Sequence, residues 1–248
     1  MINERIKAIV LAAGKGTRMK SSKAKVMHEV FFAPMLHHVL NAIMPLGLES
    51  SVVVTGHQAE AVENSLNDYD VVFARQEKQI GTANAVLAAE KFYRDFEGTV
   101  LIICGDTPLV RAETLQAMVA AHSTSEAILT VMTTNMPDPA NYGRIVTDDQ
   151  GNLLRIVEEK DASLAEKEIK EINAGIYCVD GSFLLNGLHE IGSDNRQGEY
   201  YLTDLIEVAR KNGLSVNRYI CEDPLEVLGV NSKMELARAN TVFQMRQN

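Results

Sequence analysis

Short apolar runs alternate with amphipathic stretches through the first half of the chain. Ile6 and then Ile9-Val10-Leu11 form a continuous apolar run. That pattern predicts a strand covered on both faces of a parallel sheet. Similar runs predict strands at Ser51–Thr55, Val71–Ala74 and Thr99–Cys104. Between them the period is helical. Pro34 to Gly47 carries Met35, Leu36, Val39, Leu40 and Ile43 on one face, with Pro34 in the first turn and Gly47 as the stop. Ala59–Leu66 is a second predicted helix, and Ala83–Phe92 a third with Thr82 as its N-cap. Strands and helices in strict alternation imply βαβ units, in which ligand-binding loops gather beyond the carboxyl ends of the strands. Gly14, Gln76 and Asp106 each follow a predicted strand, so their loops are expected on one edge.

The pattern changes after Ala121. Strands are predicted at Ala127–Met132 and Ile172–Val179. Tyr142–Val146 and Leu153–Glu158 flank the polar turn Asp148–Asn152 as a hairpin. Tyr201–Lys211 is helical, and Ser215–Cys221 and Glu226–Val230 read as strands. Ala165-Glu166-Lys167-Glu168 reads as a solvated helix face. Ser232 with Glu235 forms a capping box before a helix with Met234, Ala237, Arg238, Thr241, Val242 and Met245 on its face. The expectation is an α/β unit over residues 1–231 with a mixed, mainly parallel sheet flanked by helices. A smaller antiparallel extension closes a cleft, and residues 232–248 form a C-terminal helix.

Net charge is −9 over 248 residues, which argues against nucleic acid or an anionic membrane as partner. No apolar run approaches the roughly 18 residues of a membrane span, and no secretory leader pattern is visible. Cys104, Cys178 and Cys221 are scattered in apolar stretches, as in reduced thiols of a cytoplasmic protein. His37 and His38 are adjacent on a predicted helix, point apart and read as helix-face residues.

Against this acidic background, Arg5 to His28 holds seven Lys/Arg and no Asp or Glu. The run includes Leu11-Ala12-Ala13-Gly14-Lys15-Gly16-Thr17-Arg18-Met19, small residues and glycines directly after a strand. Such a loop offers backbone N–H groups to an anion. A structural turn with a solvated basic rim is the competing reading. The spacing is not that of a Walker A loop, and Met19 takes the third glycine position of a dinucleotide fingerprint, which argues against a dehydrogenase.

Asp106 in Gly105-Asp106-Thr107-Pro108 is either a turn residue or a ligand. With Asn231, at another predicted strand end, it supplies the carboxylate and amide oxygens that suit Mg²⁺. Lys25 and Arg18 are the candidate fixed cations for transferring phosphate. Gln76 is either an ordinary loop residue or a reader of the N3–H and O4 edge of uracil. Gly81 and Thr82 open a helix. Gly143, Glu158 and Asn173 suit a sugar.

The motif L-A-A-G-x-G-x-R-M from Leu11 to Met19, followed by Lys25, resembles the opening of the sugar-1-phosphate nucleotidyltransferases. The resemblance continues through Gln76-x-x-Gln79-x-Gly81-Thr82, Gly105-Asp106-Thr107-Pro108, Tyr142-Gly143-Arg144, Val157-Glu158-Glu159-Lys160, Asn173-Ala174-Gly175, Gln197-Gly198-Glu199-Tyr200 to Asp204 and Gly229-Val230-Asn231. This order is similar to the uridylyltransferase (pyrophosphorylase) branch whose members also carry an acetyltransferase domain. It implies a Rossmann-like nucleotidyltransferase fold with a sugar-binding extension. The implied reaction joins UTP and N-acetylglucosamine 1-phosphate into UDP-N-acetylglucosamine and pyrophosphate, with Mg²⁺, in supply of peptidoglycan and lipopolysaccharide precursors. Leu11, Ala12, Ala13, Gly14, Gln76, Gly81 and Thr82 would hold uridine, and Lys25 phosphate. Asp106 and Asn231 would hold the metal. Gly143, Glu158, Asn173 and Thr203 would hold the sugar, and Cys104 and Gly105 complete the expected substrate set.

Four positions depart from the family pattern: Ala24 for proline, Ala83 for glycine, Cys104 for tyrosine, and Phe32-Ala33-Pro34 for Gly-Lys-Pro. No hexapeptide repeats are present, so no acetyltransferase activity and a monomer or weak dimer are expected. Two alternatives stay open: another sugar or nucleotide, and a non-catalytic nucleotide-sugar sensor.

Overall fold

The computed structural model describes residues 5–247; residues 1–4 and 248, at the outer ends of the two expected segments, lie outside the described residues. In chain order the elements are β1 (Ile6–Leu11), β2 (Glu29–Val30), β3 (Ala33–Pro34), α1 (Met35–Ile43), β4 (Ser50–Thr55), α2 (Ala59–Asn64), β5 (Val72–Arg75), α3 (Thr82–Leu87), β6 (Thr99–Cys104), α4 (Ala112–Thr124), β7 (Leu129–Asn135), β8 (Arg144–Thr147), β9 (Leu153–Val157), α5 (Leu164–Lys167), β10 (Glu171–Asp180), α6 (Gly181–His189), α7 (Leu205–Lys211), β11 (Val216–Ile220) and α8 (Lys233–Gln247).

The main sheet runs β11-β7-β10-β6-β1-β4-β5. Its first-half strands β5, β4, β1 and β6 are parallel, β10 is antiparallel to β6 and β7, and β11 is parallel to β7. The β8–β9 hairpin is the antiparallel extension, tethered to β10 at Arg144 and Ile172. β2 and β3 form a separate small ribbon. β7, β10 and β11 therefore join the main sheet, and only the hairpin stands off it.

The central strands β1, β4 and β6 are mostly apolar because both faces are covered. Along β1, Ile9 enters one core cluster, while Ala8 and Val10 enter the other. A third, smaller cluster lies against α8. Register brings Leu11 beside Cys104, and Thr55 beside Arg75. The loops after β1, β5 and β6 thus leave from one edge.

Several expected boundaries move. Glu226–Val230 is not a strand: it is a turn whose Val227, Leu228 and Val230 are buried. An apolar run that fills space beneath a loop has the same composition as a buried strand. Asn231 therefore follows a turn. α3 ends at Leu87, and its N-cap is Gly81; Thr82 instead accepts the Leu202 N–H at 2.9 Å. α8 turns a different face inward. Met234 and Met245 are exposed, while Ala239 is fully buried with Leu236, Val242 and Phe243 packed around it. Helices α4 and α6 were not marked by the pattern. α6 begins at a glycine, and Asp180 caps it by accepting the Ser182 N–H.

Ile102 sits fully buried on the central strand β6, whereas Val72 is partly exposed on the edge strand β5. Ile102→Ala is expected to cost about 3 kcal/mol of unfolding free energy. Val72→Ala is expected to cost less than about 1 kcal/mol. Urea denaturation of the two variants beside the parent measures both.

Candidate active site

Two adjoining cavities open at the carboxyl edge of the sheet. The first, about 240 Å³, is lined by Leu11 to Gly14, Lys25, Gln76, Gly81 and Thr82, among others. The second, about 200 Å³, includes Gly143, Glu158, Asn173, Thr203 and Asn231. Leu11, Thr82, Cys104 and Asp106 line both.

The glycine loop serves two ends. Nothing lies within 4 Å of where a Gly14 side chain would start, so that residue faces open space. Gly16 has φ +59°, and an added Cβ would press into the Lys25 side chain at 2.5 Å. Glycine takes this left-handed turn without steric cost, and its missing Cβ lets Lys25 cross so closely. Ala24, which stands before that lysine, has φ −52° and ψ 138°, close to what proline would impose. A proline ring would be accommodated by this backbone.

Lys25 is the joint between the cavities. Its Nζ donates to Asp106 Oδ2, and to Asn231 Oδ1 at 3.1 Å. The side chains of Lys25 and Asp106 are only 18 % and 12 % exposed, so water screens the pair weakly. The Val230 N–H also donates to the Asp106 carbonyl at 2.9 Å, which locks the two loops together. Asp106 and Asn231 therefore face one common point. Among the described residues no cluster of three or more His, Cys, Asp or Glu is arranged for a metal. Two oxygens aimed at one cation are nonetheless a donor set that fits Mg²⁺, which keeps waters and draws other ligands from phosphate.

Gln76 is buried, and its Nε2 donates to Gly81 O and Asn84 Oδ1, both at 3.0 Å. The expected two-way reading of uracil by this one amide is thus reduced: its N–H groups are spent, and Oε1 remains as an acceptor. Gly81 has φ +126° and lies against the Tyr200 backbone, so a side chain there collides. Tyr200 closes the contact by accepting the Ala83 N–H at 3.0 Å. Ala83 itself is buried in the core where the family pattern has glycine.

In the second cavity the Gly143 carbonyl accepts the Asn173 N–H at 2.9 Å. A Cβ on Gly143 would lie 2.9 Å from Ile156 Cγ2. Asn173 Oδ1 accepts the Gly175 N–H at 2.9 Å, and its Nδ2 donates to the Tyr177 hydroxyl at 2.7 Å. These bonds shape an irregularity in β10 between Asn173 and Tyr177. Glu158 accepts the Thr203 hydroxyl at 3.3 Å. Burial pushes the Glu158 carboxyl up, against the lowering pull of that hydrogen bond, and Asp204, Asp161 and Glu199 add repulsion. Cys104 lies on the shared wall with its Sγ 3.7 Å from Gly175 O. Burial, then the Asp106 charge, pushes its thiol up to about 12, so it stays protonated.

Two expected residues stand apart. Gly105 lies behind the site: its N–H donates to Leu11 O, and its Cα faces Leu36 and Val26. Arg18 is exposed and lines a neighbouring cavity of about 400 Å³ with Glu158, Lys160 and Gln197. Conversely, Tyr177, Val227, Tyr142, Glu199 and Gly229 line the two main cavities without having been singled out. The last three sit inside motifs that carry the family resemblance. Tyr177, a lone hydroxyl in an apolar strand, was the available signal for itself.

A family model described as "Nucleotidyl transferase" matches residues 7–223. The chain belongs to the nucleotidyl transferase family. Among curated relatives, the "Bifunctional protein GlmU" of Desulfotalea psychrophila is 52 % identical over 97 % of this chain and 71 % of its own length. The protein of that name from Geobacter metallireducens is 47 % identical over 97 % of this chain and 51 % of its own length. The Brevibacillus brevis protein is 47 % identical over 98 % and 52 %. The chain thus spans about half the length of most of these relatives. A crystal structure of a Bacillus anthracis protein assigned as a glucose-1-phosphate thymidylyltransferase superposes with a TM-score of 0.77, covering 96 % of this chain and 94 % of that one at 20 % identity. At that identity the match establishes the fold. No described helix is long and apolar enough to cross a membrane.

Asp204, next to Thr203, has its carboxyl pushed up to about 6 by burial, with Glu207 and Asp161 adding repulsion. Its folded pKa lies above the unfolded value of about 3.9, so its charge opposes folding. The penalty is absent below about pH 4 and complete above about pH 7. Asp204→Asn is expected to stabilise the fold by about 1 kcal/mol at pH 8, after allowance for partial exposure. The gain should vanish at pH 4. Urea melts at both pH values measure it, and an equal gain at both contradicts the assignment.

Proposed function

We propose that the chain transfers UMP from UTP to N-acetyl-α-D-glucosamine 1-phosphate, giving UDP-N-acetylglucosamine and pyrophosphate. One observation carries the reading: Lys25, Asp106 and Asn231 meet at the junction of two cavities, one beside the glycine loop and Gln76, the other beside Gly143, Glu158 and Asn173. The family and the length of the match to bifunctional relatives support it.

The nucleotide lies in the first cavity, with its phosphates along Leu11 to Gly14 and its base beside Gln76 and Gly81. Gln76 Oε1 accepts the N3–H of uracil. The sugar lies in the second, where the missing side chain of Gly143 admits the ring and Glu158 accepts from a sugar hydroxyl. Across the shared wall the sugar phosphate lies opposite the α-phosphorus in this reading. A phosphate oxygen attacks that phosphorus, and the bond to the pyrophosphate leaving group breaks on the opposite side. No general base is needed, because a phosphate monoester with a second pKa of about 6 is already an anion near neutrality. Lys25 supplies positive charge where negative charge gathers. Asp106 and Asn231 would hold Mg²⁺, which when bound neutralises and aligns the two phosphate groups. Arg18, on the adjoining rim, adds positive potential at the entrance.

Pyrophosphate release is measured with UTP and N-acetylglucosamine 1-phosphate, with and without Mg²⁺, beside glucose 1-phosphate and other nucleoside triphosphates. Selective, Mg²⁺-dependent release is expected for the first pair. Release with another pair alone overturns the specificity. Binding of UDP-N-acetylglucosamine without turnover of any pair supports a sensor instead. Asp106→Asn and Lys25→Ala are each expected to lower kcat by at least about 100-fold, as removal of groups that stabilise transition-state charge does. Gly143→Ala is expected to raise KM for the sugar phosphate while leaving KM for UTP unchanged.

A further inference from the structure

Besides packing on α1 through His38 and Phe243, α8 contacts the three segments that carry Lys25, Asp106 and Asn231. Asn240 Oδ1 accepts the Phe31 N–H at 2.8 Å, and its Nδ2 donates to Glu29 O at 3.4 Å. That ribbon follows directly on the turn that carries Lys25. Arg246 donates to Leu109 O at 2.6 Å, three residues beyond Asp106. Glu235 accepts the backbone N–H of Asn231 at 2.8 Å. The apolar contacts repeat the pattern. The third core cluster joins Val30, Leu109 and Val230, one from each segment, around the fully buried Ala239 of α8.

An ion network closes the same gap at the far end of the helix. Arg246 pairs with Asp223 at 3.0 Å, and Asp223 also takes Arg111 at 2.8 Å. Arg111 in turn reaches the buried Glu226 at 3.2 Å. Leu109 and Arg111 belong to the loop after Asp106, and Asp223 and Glu226 to the loop before Asn231. Neither Arg246 nor Asn240 lines either cavity.

We propose that α8 is the brace that sets the spacing of Lys25, Asp106 and Asn231, with Arg246 positioning the loop that carries Asp106 and Asn240 the ribbon that follows Lys25, whose ammonium meets the two oxygens that would hold the divalent cation. The proposal rests on the reading of Asp106 and Asn231 given above. Mg²⁺ demands near-octahedral geometry at short distances, so two protein oxygens on separate loops hold it only if the loops keep a fixed separation. Residues that orient the ligands from behind are worth as much as about 10–100-fold in metal affinity. β6 fixes one end of the Asp106 loop, and the 223–231 segment has no strand of its own to fix Asn231. The helix supplies that constraint.

The test compares the whole chain with Arg246→Met, Arg246→Lys and Asn240→Ala. Mn²⁺ binding is read by electron paramagnetic resonance with and without UTP, beside Mg²⁺ titrations of pyrophosphate release and thermal melts. Arg246→Met and Asn240→Ala are each expected to weaken Mn²⁺ binding about tenfold and to raise the Mg²⁺ concentration for half-maximal rate in proportion. KM for UTP should stay unchanged, and Arg246→Lys should recover part of the loss. The two sites lie at different points along the helix, so a folding failure in one variant leaves the other informative. Folded variants with parental Mn²⁺ binding overturn the brace, whatever their melting temperatures. A parent chain that binds no Mn²⁺ in either condition overturns it too. A parent that binds Mn²⁺ but turns over no substrate pair, with binding weakened in the variants, sinks the proposed reaction and leaves the brace standing.

Discussion

The Lys25 ammonium held between Asp106 and Asn231 is the interaction on which the arrangement depends. It joins three segments far apart in sequence and keeps two cation-seeking oxygens aimed at a cation rather than at each other. A carboxylate this shielded from water is costly without a partner, and removal of the lysine would leave it unpaired. The glycine loop is shaped around the same contact, since Gly16 is bare where Lys25 crosses it. Seen this way, the glycines after β1 do more than make room for a ligand. One of them makes room for the lysine.

The first half of the site was legible because its placement follows from a rule of topology. Loops after β1, β5 and β6 share an edge whatever their composition, and buried parallel strands announce themselves as unbroken apolar runs. β6 lies where the apolar run from Thr99 to Cys104 put it, and β1, β4 and β5 moved by little. The second half was less legible. Asn173 reaches the cleft because β10 breaks register and Gly175 turns left-handed at φ +72°. Residue types alone do not reveal such an irregularity. The segment 226–230 shows the limit most directly, since burial beneath a loop and burial in a sheet demand the same side chains. α8 shows it again: two apolar stripes run along the helix, and the one that includes Phe243 was buried because it meets Val30, Leu109 and Val230.

Gln76 shows how a residue's position can be read correctly while its hydrogen bonds are not. Its place in the first cavity follows from the strand that precedes it. The bonds that occupy its Nε2 depend on Gly81 and Asn84, whose approach is set by the Tyr200 backbone across the cleft. The segment from Gln197 to Thr203 therefore shapes both cavities at once. It presses on Gly81 beside the first, holds Thr82 by the Leu202 N–H, and carries the Thr203 hydroxyl to Glu158 in the second.

The charges around the two cavities are grouped by segment of the chain. The side toward the glycine loop gathers Lys15, Arg18 and Lys25 with no carboxylate in the same stretch of chain. Glu158, Asp161, Glu199 and Asp204 form an acidic group from the second half of the chain, and burial first, with repulsion from neighbouring carboxylates added, pushes the Glu158 and Asp204 carboxyls up. For the proposed ligands the grouping matters, because a carboxylate beside a phosphate would oppose binding while one beside a hydroxyl would accept a hydrogen bond. Asp106 stands on the boundary, and the cation it shares with Asn231 lets a carboxylate sit there. That cation is the Lys25 ammonium, which balances the Asp106 charge, so that in the proposed reaction a phosphate would approach from one side and a sugar from the other.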